Sequence, residues 1–154
     1  MLSNIFNTDF QDFLTAFENC NVDYVLVGGY SVIIHGYSRT TGDMDLFVNP
    51  VFENYNKIEK AFAMFGMPLF GMSLDKFLDT ENFDVFEYGR PPMAIDIITK
   101  LKGVTFEEAS KSALRYDVTE SLAINVIHIN QLIQNKKAVG RNKDKADIEY
   151  LKGK

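Results

Sequence analysis

Cysteine occurs once, at Cys20, so no disulfide can form within the chain, and a reducing cytoplasmic setting is the expectation. Tryptophan is absent. The longest apolar stretches, residues 24–27 and 32–34, fall far short of the ~20 residues that a membrane span needs. No basic region followed by an apolar run stands at the start, so no secretory leader is expected. Positive charge is also in deficit. A net charge of −5 argues against a protein that coats nucleic acid through a broad basic surface. Repeats, low-complexity tracts and linkers are missing too, and residues 1–154 are read as one unit.

What is present is an ordinary globular balance, 46% apolar and 24% charged, with 13 phenylalanines that read as core filling. Phe6, Phe10, Phe13, Leu14 and Phe17 recur at helical spacing. Strands are expected over 23–28, 44–48, 83–88 and 93–99, and a hairpin over 114–119 and 122–129. Helices are expected over 30–35, 52–65, 73–78 and 105–113, with C-terminal helices over 130–137 and 142–151. Gly89-Arg90-Pro91-Pro92 reads as the turn joining the third and fourth strands. Helices and strands interleave around one mixed sheet, so the expected class is α/β (α+β), a mixed β-sheet flanked by helices.

The chemistry centres on Asp43-Met44-Asp45. Residues two apart on a strand share a face, so both carboxylates project together while Met44 turns into the core. Adjacent like charges raise each other's ionisation cost unless a cation sits between them. A hard divalent ion binds through one or two carboxylates plus substrate phosphates. Gly28-Gly29 falls between a strand and a helix start, where it serves either a tight turn or the close approach of a phosphate to helix N–H groups. Ser31 would add a hydroxyl contact there. Asp96 stands alone among Ala94, Ile95, Ile97 and Ile98. A buried carboxylate is costly without a partner, so it either joins the Asp43–Asp45 pair or faces water from an edge strand.

Gly28-Gly29, thirteen intervening residues, Asp43-x-Asp45 and the later Asp96 resemble the signature of the nucleotidyltransferase superfamily, with its DNA polymerase β-like fold. The runs VGGYSVIIHGYSRTTGDMDLFV, IDIITKLKGVTFEEA and KKAVGRNKDKADIEYL further resemble small bacterial minimal nucleotidyltransferases and the abortive-infection (AbiEii-like) toxin group. Many relatives carry Gly-Ser where this chain has Gly28-Gly29. The resemblance implies that Asp43, Asp45 and Asp96 are catalytic and bind Mg²⁺ or Mn²⁺, and that Gly28 and Gly29 cradle the triphosphate of an NTP. It implies transfer of a nucleoside monophosphate to a hydroxyl, with release of pyrophosphate. The acceptor it leaves open: a protein, tRNA or a small molecule, with a partner protein or a second copy completing the site. A toxin–antitoxin component and a non-catalytic nucleotide-binding module are the alternatives.

Residues 136–145 hold five basic residues against one acid, which suits either a compact anion or a solvated helix face. Lys136, Lys137, Arg141 and Lys143 are candidates for the β- and γ-phosphates. Arg39 either clamps phosphate or pairs with the acidic cluster. Lys143, Asp144 and Asp147 have the three- and four-residue spacing of helix-surface ion pairs. His35 and His128 read as packing or capping residues, and Cys20, at a helix end, as inert.

Overall fold

The computed structural model describes residues 4–153. In chain order the elements are α1 (Thr8–Asn19), β1 (Tyr24–Val27), α2 (Gly28–Ile34), β2 (Asp43–Val48), α3 (Phe52–Phe65), α4 (Leu74–Leu78), β3 (Val85–Arg90) and β4 (Met93–Ile98). Then follow α5 (Phe106–Ser112), β5 (Leu114–Thr119), β6 (Leu122–Val126), α6 (Ile129–Val139) and α7 (Asn142–Lys152). The strands form one six-stranded sheet in the order β3-β4-β2-β1-β6-β5. β1 runs antiparallel to β2 and parallel to β6, β2 runs parallel to β4, and two hairpins close the edges.

Strand alternation sorts the core into two layers. Tyr24, Leu26, Met44, Leu46, Val48, Ile95 and Ile97 face one side, where they meet Phe10, Phe13, Leu14 and Phe17 of α1 and Ile58, Ala61 and Phe62 of α3. Burying each of these phenylalanines contributes ~2–3 kcal/mol. Val25, Val27 and Phe47 face the other side, against Ala109 of α5, Leu132 of α6 and Leu151 of α7. By the same parity Asp43 and Asp45 point to this second face, which therefore carries both an apolar floor and a polar end.

Local signals set most boundaries. The Asn7 side chain accepts from the Phe10 N–H at 2.8 Å and starts α1, and Thr105 with Glu108 forms a capping box on α5. Gly66, at φ 89°, ends α3 in the left-handed conformation that glycine permits. The third strand departs from expectation: it spans Val85–Arg90 rather than 83–88, because Gly89 and Arg90 stay paired with Ala94 and Met93. The reversal itself falls on Pro91-Pro92, which have no free N–H for the ladder. β6 stops at Val126, short of the expected 129, since His128 caps α6 by accepting from the Asn130 N–H at 3.0 Å. No helix among the described residues is long and apolar enough to cross a membrane.

Candidate active site

The pairing of β2 with β4 brings the three carboxylates together. Asp45 lies directly opposite Asp96 in the parallel register, and Asp43 sits two residues before Asp45 on the same face. Met44, between them, is fully buried on the other face. Asp45 and Asp96 lie within hydrogen-bonding reach of each other, while the Oδ1 of Asp45 is buried without a partner. Burial, the Asp96 charge and hydrogen bond, and the Asp43 charge push the Asp45 carboxyl up to about 7; Lys143 opposes the shift. Burial and the Asp43 charge raise Asp96 as well. Both carboxyls are therefore biased toward the protonated form as long as no cation stands between them.

Close backbone approach explains the glycines. Gly28 has φ +69°, and a Cβ there would collide with the Asp45 carboxylate. A Cβ on Gly29 would meet the hydroxyl of Thr41. Both glycines line one polar cavity of about 420 Å³, together with Arg39, Thr40, Thr41, Gly42, Asp43, Asp45, Asp96, Lys136, Arg141 and Lys143. Nine of the eleven residues singled out from the sequence line this cavity, and two, Ser31 and Lys137, do not reach it. Ser31 is fully buried and donates to the Gly28 carbonyl at 2.6 Å, so its hydroxyl fixes the turn. Lys137 is exposed and stands outside the lining.

The wall opposite the carboxylates is cationic and built by ion pairing. Asp144 and Asp147, 1% and 2% exposed, project from α7 into it. Asp147 binds Arg39 at 2.7 Å and Lys136 at 2.9 Å. Asp144 binds Lys136 at 3.3 Å and Arg141 at 2.7 Å. Desolvation would raise Asp144, but the hydrogen bonds from Arg141 and Lys136 win and hold it below the ordinary carboxylate range. These are not the helix-surface pairs that their spacing suggested. Residues 144, 147, 148 and 151 form one helical stripe, and Ile148 and Leu151 drive that stripe inward. That stripe was the available signal for the two aspartates. Arg39 pairs with Asp147, not with the carboxylates across the cavity. Lys143 lines the cavity with no ion pair among the described residues.

His35 and His128 behave as packing and capping residues: His35 Nε2 meets the Ile127 carbonyl at 2.7 Å, and His128 caps α6. Cys20 caps α1 as a free thiol.

The donor set suits a hard divalent cation: three carboxylates, oxygen atoms only, and one buried oxygen without a partner. Among the described residues no three acidic, histidine or cysteine side chains are drawn together into a ready metal cage. Magnesium does not require one, since it keeps waters and substrate phosphates in its shell.

No protein-family model matches the sequence, and no curated protein matches it. Among solved structures, the lincomycin-bound crystal structure of the lincosamide antibiotic adenylyltransferase LnuA is similar, with a TM-score of 0.51 at 14% identity. The likeness covers 97% of this chain and 98% of that one. The fold is that of a nucleotidyltransferase. Within the nucleotidyltransferase fold, the sheet seats Asp43, Asp45 and Asp96 side by side, and the C-terminal helices supply the facing cations.

Proposed function

We propose that this chain is a metal-dependent nucleotidyltransferase that moves a nucleoside monophosphate from an NTP to a hydroxyl acceptor. The observation that carries it is one cavity with carboxylates on one wall, cations on the other and two glycines between. A triphosphate needs all three: cations for its oxygens, backbone N–H groups at close approach, and carboxylates for its accompanying metal. Asp43, Asp45 and Asp96 would hold Mg²⁺ or Mn²⁺, which when bound neutralises charge on the phosphate oxygens and favours displacement. Lys143, with Arg39, Lys136 and Arg141 behind it, steadies the β- and γ-phosphates. Asp96 accepts the acceptor's hydroxyl proton as its oxygen bonds to the α-phosphorus. The bond from that phosphorus to the α–β bridging oxygen breaks, and pyrophosphate leaves with the electron pair.

A small-molecule acceptor is favoured by the likeness to a lincosamide adenylyltransferase along almost the whole chain. The toxin-like alternative, acting on tRNA or a partner protein, draws on the basic segment 136–145. That segment serves a polyanion poorly, because Lys136 and Arg141 are already committed to Asp144 and Asp147. A second copy or a partner protein completing the acceptor side, and a cytoplasmic setting, belong to the same proposal. A nucleotide-binding module without catalysis is the weaker alternative, since all three carboxylates are retained.

Calorimetry with ATP, GTP, CTP and UTP, each with Mg²⁺, tests the donor site. Metal-dependent binding of at least one NTP is expected, and Asp43→Asn/Asp45→Asn should lower it by ~10²-fold or more. Equal binding by that double variant would sink the proposal.

A further inference from the structure

Resting on the nucleotide site proposed above, we infer that Asp147 is a positioning residue: it latches the 35–42 loop to α7 and so holds the phosphate-facing cations in place. That loop joins α2 to β2 and brings Arg39, Thr40, Thr41 and Gly42 to the cavity. With no regular structure of its own, it takes its shape from what it touches.

Three contacts tie it to α7. Tyr37 stacks on Tyr150 with ring centroids 4.4 Å apart, and the Tyr150 hydroxyl donates to the Gly36 carbonyl at 2.8 Å. Arg39 donates to Asp147 at 2.7 Å. The first two are exposed or half-exposed contacts, which a loop makes and breaks at little cost. The third is different in kind. Asp147 is 2% exposed and also binds Lys136, itself 4% exposed, so one carboxylate orients two cations from separate parts of the chain. Neither cation can leave without stranding the other charges in a dry site. The Arg39 guanidinium is thereby held beside Gly29, where a phosphate would meet the helix start: a Cβ on Gly29 would come within 3.2 Å of an Arg39 nitrogen. Asp147 needs no contact with nucleotide to govern its binding.

The test is calorimetry with Mg²⁺-tripolyphosphate, which reads the phosphate site without any base, and then with the NTPs. Wild type, Asp147→Asn, Asp147→Glu, Arg39→Gln and the Arg39→Gln/Asp147→Asn double variant are compared, with the folded fraction fixed by circular dichroism. The expected result is a loss of about tenfold or more in Asp147→Asn. The double variant should lose less than the two single losses combined, because Arg39 and Asp147 share one interaction. Asp147→Glu should recover part of the affinity by restoring the charge. If Asp147→Asn does not fold, Arg39→Gln and Asp147→Glu carry the test, and both must bind more weakly than wild type. A folded Asp147→Asn protein, or those two variants, binding as wild type does would overturn the inference and leave the nucleotide site standing. Wild type that binds neither tripolyphosphate nor any NTP would overturn both.

Discussion

The two walls of the cavity are built on opposite principles. On the sheet side, Asp43, Asp45 and Asp96 face one another without a cation in bonding range, and Asp45 and Asp96 are pushed toward protonation. On the helix side, Arg39, Lys136 and Arg141 are each matched to Asp144 or Asp147, and both of those aspartates are buried. One wall is charge-matched by itself; the other carries an electrostatic cost that protonation or a bound cation would relieve. Groups that oppose folding are retained where they serve binding. Under the proposed function, the sheet wall is where a cation would be supplied, and the helix wall is the fixed frame for what would come with it.

The sharpest way to break this contrast is Gly28→Ala. Its methyl group would strike Asp45, in a backbone conformation that non-glycine residues avoid. A loss of ~2–3 kcal/mol in stability is expected from strain and collision together, and metal-dependent nucleotide binding should vanish with it. Thermal melts and calorimetry read the two effects. Wild-type behaviour in both would mean that the close approach at Gly28 is unimportant.

Next comes Asp45→Asn, measured without divalent ions. Asp45 has a folded-state pKa raised from 3.8 to about 7, so the folded state keeps a proton that the unfolded state has released. Stability from this group is present below pH ~4 and is lost as pH rises toward 7. The variant escapes that loss. It should match wild type in acid and become more stable by ~1–3 kcal/mol above pH 7. Mg²⁺ added to wild type should narrow the gap, because a ligand of the folded state raises its stability. A gap that is constant across pH would show that Asp45 carries no such burden.

The smallest effect is expected for Lys143→Met. With no ion pair to lose, its stability should change by less than ~0.5 kcal/mol. Nucleotide affinity should fall about tenfold, which is ~1.4 kcal/mol. Unchanged affinity would transfer the phosphate contact to the paired cations behind it.

Much of this was legible in the chain. The spacing of Phe52, Tyr55, Ile58, Phe62 and Phe65 marks a helix that the structure reproduces as α3, Phe52–Phe65, and Asp43-Met44-Asp45 follows strand alternation as expected. Local rules suffice there, since periodicity, caps and glycines act within a few residues. The helix wall was less legible. Charge alone left a compact anion and a solvated face both open for 136–145, whereas Lys136 and Asp144 of that segment, and Asp147 just beyond it, are buried. Arg39 and Asp147 stand 108 residues apart, and nothing in either neighbourhood announces the other.

By itself, then, the sequence determined which residues carry charge, which stretches form strands and helices, and that Asp43 and Asp45 share a face. Only the tertiary structure decided that Asp96 lies opposite Asp45, that Arg39 turns away from the acidic cluster, and that α7 turns its aspartates inward. The reason is that strand order and helix docking depend on apolar faces finding one another across long loops. The energy of a charge depends on which partners that docking brings near and how much water it removes.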